Sequence, residues 1–150
     1  MGIDYHLTLG GDISLQRVAE LVGPELTADT PEFPDDLPRY SADLTEQAGY
    51  SVSVYGGQHG YCDAEDDDGS QWEWEPDVFV NVSFRMSKND ESEAGTPNMV
   101  AAVGRVLAGV TQDAALILND NWLLLTRVDG RLRKHRPAWW NNYNLNDAIS

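Results

Sequence analysis

Two stretches of the chain alternate apolar and polar residues so strictly that each reads as a strand with one buried face. From 78 to 86, Val78, Val80, Val82, Phe84 and Met86 take one side while Asn81, Ser83 and Arg85 take the other, the period of two that a pleated backbone imposes. Ile3, Tyr5, Leu7 and Leu9 alternate with Asp4, His6 and Thr8 and end at Gly10-Gly11, and Tyr50, Val52 and Val54 repeat the pattern before Gly56-Gly57. A sheet with one apolar face must be covered. Leu15, Val18, Ala19 and Val22 recur at helical spacing behind the candidate caps Asp12 and Ser14 and stop at Gly23-Pro24. Met99, Val103, Val106 and Val110 do the same after Thr96-Pro97, a good helix start because proline at the first position forfeits no hydrogen bond.

Ala114 to Leu118 is a continuous apolar run, as expected of a central strand covered on both faces. Asn119-Asp120-Asn121 turns it into a return strand from Trp122 to Val128, and Asp129-Gly130 signals a hairpin into a short strand from Arg131. The expected order is β-α-β-β-α-β-β-β. The fold class is α+β: a mostly antiparallel sheet of about five to six strands with two helices on one face. Residues 1–150 fit one domain without internal repeats, and a chain of this length buries roughly 70% of its unfolded surface. Residues 24 to 48, with Pro24, Pro31, Pro34 and Pro38, read as a long connection of the kind that is functional or ordered by a partner. Trp139, Trp140 and Tyr143 are assigned to packing of the C-terminal tail.

Charge narrows the function. The chain has 25 acidic against 10 basic side chains, a net charge of -15, so nucleic acid is a poor partner. Residues 63 to 77 hold eight of the acids (Asp63, Glu65, Asp66, Asp67, Asp68, Glu73, Glu75 and Asp77), no base, and Trp72 and Trp74. One reading is a solvated acidic loop. The other is a surface made to be covered by a cationic partner, because large aromatics beside charge are the usual composition of interface anchors. Trp72 and Trp74 keep a further alternative: if the strand at 78 to 86 extended backwards past a bulge at Pro76, both would face the core. The opposite charge is concentrated late, in Arg127, Arg131, Arg133, Lys134 and Arg136, a strip expected to pair with the acids. No apolar run approaches the roughly 18 residues of a spanning helix, and an acid stands near the N-terminus where a leader would need a base.

Chemical motifs are scarce. An EF-hand register that sets Gly69 sixth puts Asp66, Asp68 and Glu75 at positions three, five and twelve, but Ala64 then occupies the first ligand position. Cys62 is the single cysteine, which excludes an internal disulfide and fits a reducing compartment. Its acidic neighbours would raise the thiol pKa, so it is read as an inert side chain and His59 as no base for it. His6 and His135 lack a metal-ligand partner at a diagnostic spacing. No catalytic residue, metal or cofactor is expected.

The string VFVNVSFRMSK at 78 to 88, the helix at 97 to 110, the run DAALILNDNWLLLTRVDGRL at 113 to 132 and Trp139-Trp140 occur in an order that resembles the SitI-type immunity proteins of polymorphic toxin systems. The resemblance covers the C-terminal half and, more weakly, Gly2 to Leu9. It implies a cytoplasmic protein that binds and neutralises a cognate toxin and performs no catalysis. The stretch at 57 to 77 does not align to the family pattern, and it is where discrimination between toxins would be built. The expectation is therefore stoichiometric occlusion of a cationic toxin domain, plausibly a nuclease, through Asp63, Glu65, Asp66, Asp67, Asp68, Trp72, Glu73, Trp74 and Glu75. The alternatives are a small metal-dependent or hydrolytic enzyme using the acidic loop, and an acidic adaptor.

Overall fold

In the computed structural model, residues 2–29, 38–87 and 94–149 are described. Among these residues ten strands form one sheet: β1 (Gly2–Gly10), β2 (Thr27–Ala28), β3 (Arg39–Leu44), β4 (Tyr50–Gln58), β5 (Cys62–Glu65), β6 (Gln71–Trp74), β7 (Val78–Ser87), β8 (Ala114–Leu118), β9 (Trp122–Val128) and β10 (Arg131–Lys134). The helices are α1 (Leu15–Val22), α2 (Thr45–Ala48), α3 (Thr96–Gly109) and α4 (Pro137–Asn142). The order across the sheet is β2-β3-β4-β7-β1-β8-β9-β5-β6, with β10 also paired to β9. Among the described residues every pairing is antiparallel except a single parallel bridge, Glu65 to Trp122, between β5 and β9.

This corrects the expectation of five to six strands and two helices. The six expected strands and both long helices are present. The additions β2 and β3 lie inside the stretch read as a connection, β5 and β6 inside the acidic segment, and α2 and α4 are single short turns of helix. Pro31 and Pro34 of that connection fall outside the described residues. Short, charge-rich strands bury too little to show a period, and tertiary pairing decides them instead.

The alternation places the core. Tyr5, Leu7 and Leu9 of β1, Val80, Val82 and Phe84 of β7 and Leu116 of β8 are buried under Val18, Ala19 and Val22 of α1 and Met99, Val103 and Val106 of α3. Ser14 caps α1, its Oγ accepting from the Arg17 N–H at 3.3 Å. Thr96 is helical rather than the cap, and its buried hydroxyl lies 3.5 Å from the Tyr5 hydroxyl. The tail packs as expected: Trp140 is fully buried and its indole N–H is shared between the carbonyls of Leu124 and His135 at 3.1 and 2.9 Å.

β4 and β7 continue into β5 and β6 without losing register. Ser51 opposes Arg85, Gln58 opposes Val78, and Cys62 opposes Trp74, the two numbers in each pair keeping one sum. The acidic segment is thus the far end of one long antiparallel ribbon. At its bend Gly60 is required, because a Cβ there would sit 2.7 Å from the Phe79 ring and 2.9 Å from the Pro76 carbonyl. Beyond the bend the ribbon crosses the face opposite α1 and α3 and docks beside β9.

A candidate functional site on the acidic hairpin

The hairpin β5–β6 has two faces set by the pleat. Cys62, Ala64, Trp72 and Trp74 turn inward onto Ala115, Ile117 and Leu123, a second apolar cluster on the back of the sheet. This explains why β8 is apolar on both faces: Leu116 faces the helices, while Ala115 and Ile117 face the hairpin. Trp74 reaches as far as Gly10, where any Cβ would lie 2.6 Å from its ring. Both tryptophans keep part of their surface in solvent and lie 6.3 Å apart, centroid to centroid. The outward face carries Tyr61, Asp63, Glu65, Gln71, Glu73 and Glu75, all exposed. Gln71 donates to the Asp63 carboxylate across that face at 3.1 Å.

The tip, 66 to 70, is tied to the C-terminal part of the chain. His135 is almost fully buried, with a side chain 3% exposed. Its Nδ1 lies 2.7 Å from the Asp66 carboxylate and its Nε2 2.9 Å from the Thr126 hydroxyl. The Arg136 N–H donates to Asp67 at 2.6 Å, which the left-handed backbone of Arg136 (φ 55°) permits. The Arg136 guanidinium donates to the Glu65 carbonyl at 3.1 Å, lies 3.5 Å from the Glu65 carboxylate and stacks 4.4 Å over the Trp122 ring. Burial pushes the Asp66 carboxyl up, but hydrogen bonds from the Asp67 N–H and His135 outweigh it and leave the group below its ordinary value. Asp68 is held down by the Ser70 hydroxyl and N–H, which share its carboxylate at 2.5 and 2.9 Å.

The nine candidate residues therefore occupy one hairpin in three positions. Asp63, Glu65, Glu73 and Glu75 form its open face, Asp66, Asp67 and Asp68 its tip, and Trp72 and Trp74 its underside. The basic strip is largely used within the molecule. Arg127 donates to the carbonyls of Leu107, Val110 and Gln112, burial lowering its pKa, while Lys134 reaches the Asn146 carbonyl and Arg136 holds the hairpin. His135 and Thr126 are the residues the sequence did not reveal, since Asp66 lies 69 positions from its histidine, whereas Arg136, expected to pair with the acids, lies 3.5 Å from the Glu65 carboxylate.

Two other clusters have chemical potential. Asp66, Asp67 and His135 bring three ligand-type atoms within 4.8 Å, but each already takes part in hydrogen bonds that account for its position. On the back of the sheet, His6 Nδ1 lies 2.8 Å from the Ser83 hydroxyl and Nε2 lies 3.5 Å from Asp120. That is a poor nucleophile site. The Asp120 side chain is 86% exposed, and β7 is paired on both sides, by β1 and β4, so its backbone N–H groups are not free to stabilise an oxyanion. The Cys62 thiol is pushed up by burial and by Asp63, against a weak hydrogen bond to Thr8. No helix among the described residues is long and apolar enough to cross a membrane.

Comparison with curated proteins and with solved structures gives no match. A family model described as SitI3-like matches residues 3–144, nearly the whole chain and including the acidic hairpin. The chain belongs to the SitI3-like family.

Proposed function

We propose that this protein is an immunity protein that binds a cognate toxin in the cytoplasm and neutralises it by stoichiometric occlusion, without turnover. Family membership over residues 3–144 carries this reading. The partner's chemistry follows from charge: a molecule at -15 that gathers four carboxylates on one open hairpin face fits a toxin domain with a basic surface, such as the substrate groove of a nuclease. Asp63, Glu65, Glu73 and Glu75 steer and contact the toxin, and Asp66, Asp67 and Asp68 extend the field at the tip. Trp72 and Trp74 hold the hairpin in place and offer their solvent-facing parts to the partner. Steering by such a field raises association rates by roughly ten to a thousandfold and is screened by salt.

Titrating the full chain with the basic C-terminal domain of the toxin encoded beside it tests the proposal. The expected result is a one-to-one complex whose association slows about tenfold or more between about 0.05 and about 0.5 M salt. Absence of binding overturns it.

A further inference from the structure

β6 is the last strand of the sheet, and among the described residues no strand pairs with its outer side. Its backbone register shows which groups that edge offers. Asp66 donates to the Ser70 carbonyl at 3.0 Å at one end of the hairpin and Gly60 to the Pro76 carbonyl at 2.8 Å at the other, so between them the even-numbered residues turn their backbone groups into the hairpin; the odd pair His59–Asp77 bonds at 2.6 Å only on the β4 side of the bend. The Glu65 N–H instead points out of the hairpin, to the Asn121 carbonyl at 2.6 Å. Alternation along an antiparallel ladder then directs the N–H and C=O groups of Gln71 and Glu73, and of Glu75 if it continues one residue past the end of β6, away from β5, at the free edge.

An open edge is a template for another strand, and natural sheets guard it with charge. Here the guard is acidic: Asp63, Glu65, Glu73 and Glu75 flank the edge, and among the described residues only Glu65 of these four has a basic partner, Arg136 at 3.5 Å. A second copy of this chain would bring the same carboxylates against them. An extended segment with alternating Lys or Arg side chains would find backbone partners and opposite charge together.

We infer that the toxin is held by strand addition: a cationic extended segment of it pairs with the free edge of β6 through the backbone of Gln71, Glu73 and Glu75. This rests on the immunity reading and adds the mode of docking. The bonds come from the main chain and the selectivity from the carboxylates.

Glu73→Pro separates the two. Proline at 73 removes an N–H that faces out of the hairpin, so the hairpin is retained, while a strand can no longer pair there. With the same toxin domain as probe, Glu73→Pro should weaken binding by at least tenfold more than Glu73→Gln, both with native circular dichroism. Amide exchange on the native complex gives a second readout, with Gln71, Glu73 and Glu75 expected to become protected on binding. Equal binding by Glu73→Pro and Glu73→Gln, with those amides unprotected, overturns strand addition and leaves the immunity reading intact. Failure of the native chain to bind overturns both. A native chain that is dimeric, and monomeric as Glu73→Pro, gives the edge to a second copy and also overturns the proposal.

Discussion

Gly10 fixes where the hairpin can lie. Its missing side chain is the space into which Trp74 settles, so Gly10→Ala puts a methyl 2.6 Å from the ring and forces the tryptophan outward. Overpacking of this kind costs about 1–3 kcal/mol. Chemical denaturation is expected to show that loss, with a red-shifted tryptophan emission reporting the displaced ring. His135 works from the other end of the hairpin, buried between Asp66 and Thr126. His135→Ala removes both partners and opens a void, and is expected to cost about 2–4 kcal/mol. In sequence this histidine showed no metal-ligand partner at a diagnostic spacing, and its carboxylate stayed hidden because helix and strand periodicities report neighbours within a few positions, whereas Asp66 is 69 positions away.

Among the elements, legibility followed the area each buries. β1, β7 and α3 have long apolar stripes and showed plainly in the pattern. β5 and β6, as CDAE and QWEW, did not, since half of each is polar or charged and their inward residues cover a cluster that exists only once β8 and β9 are assembled. β3 was hidden for a similar reason, its Tyr40, Ala42 and Leu44 being a weak alternation in a proline-bearing stretch. The alternative that placed Trp72 and Trp74 on the continuation of the β7 strand was right about parity, and the bend at Gly60 and Pro76 changes which core they meet. Their joint replacement by alanine is expected to release the hairpin while β1, β4 and β7 stay folded. Hydrogen exchange would show this as fast amides confined to 60–75, with toxin affinity falling by on the order of 2 kcal/mol or more.

The whole molecule carries its charge at a cost in self-repulsion, and acid changes that balance. Asp43, Asp66 and Asp68 all have carboxyl pKa values below the ordinary 3.8. A depressed pKa contributes stability that is complete above the unfolded value and lost as pH falls through the folded one. Stability from these groups should therefore hold down to about pH 5 and decline below 3.8. Denaturant midpoints measured from pH 7 to pH 2 are expected to fall less steeply below pH 4 in Asp66→Asn than in the native chain. The back of the sheet was the main global feature missing from the sequence. One face under two helices could be inferred from periodicity, whereas a ribbon folding over the other required knowing that its far end meets residues 122, 135 and 136.

That last meeting sets an order of events during translation. Residues 62 to 74 leave the ribosome well before Trp122, His135 and Arg136 exist, so the anionic ribbon has no seat while it is being made. The surface proposed to meet a toxin therefore cannot take its seat until residue 136 has been made.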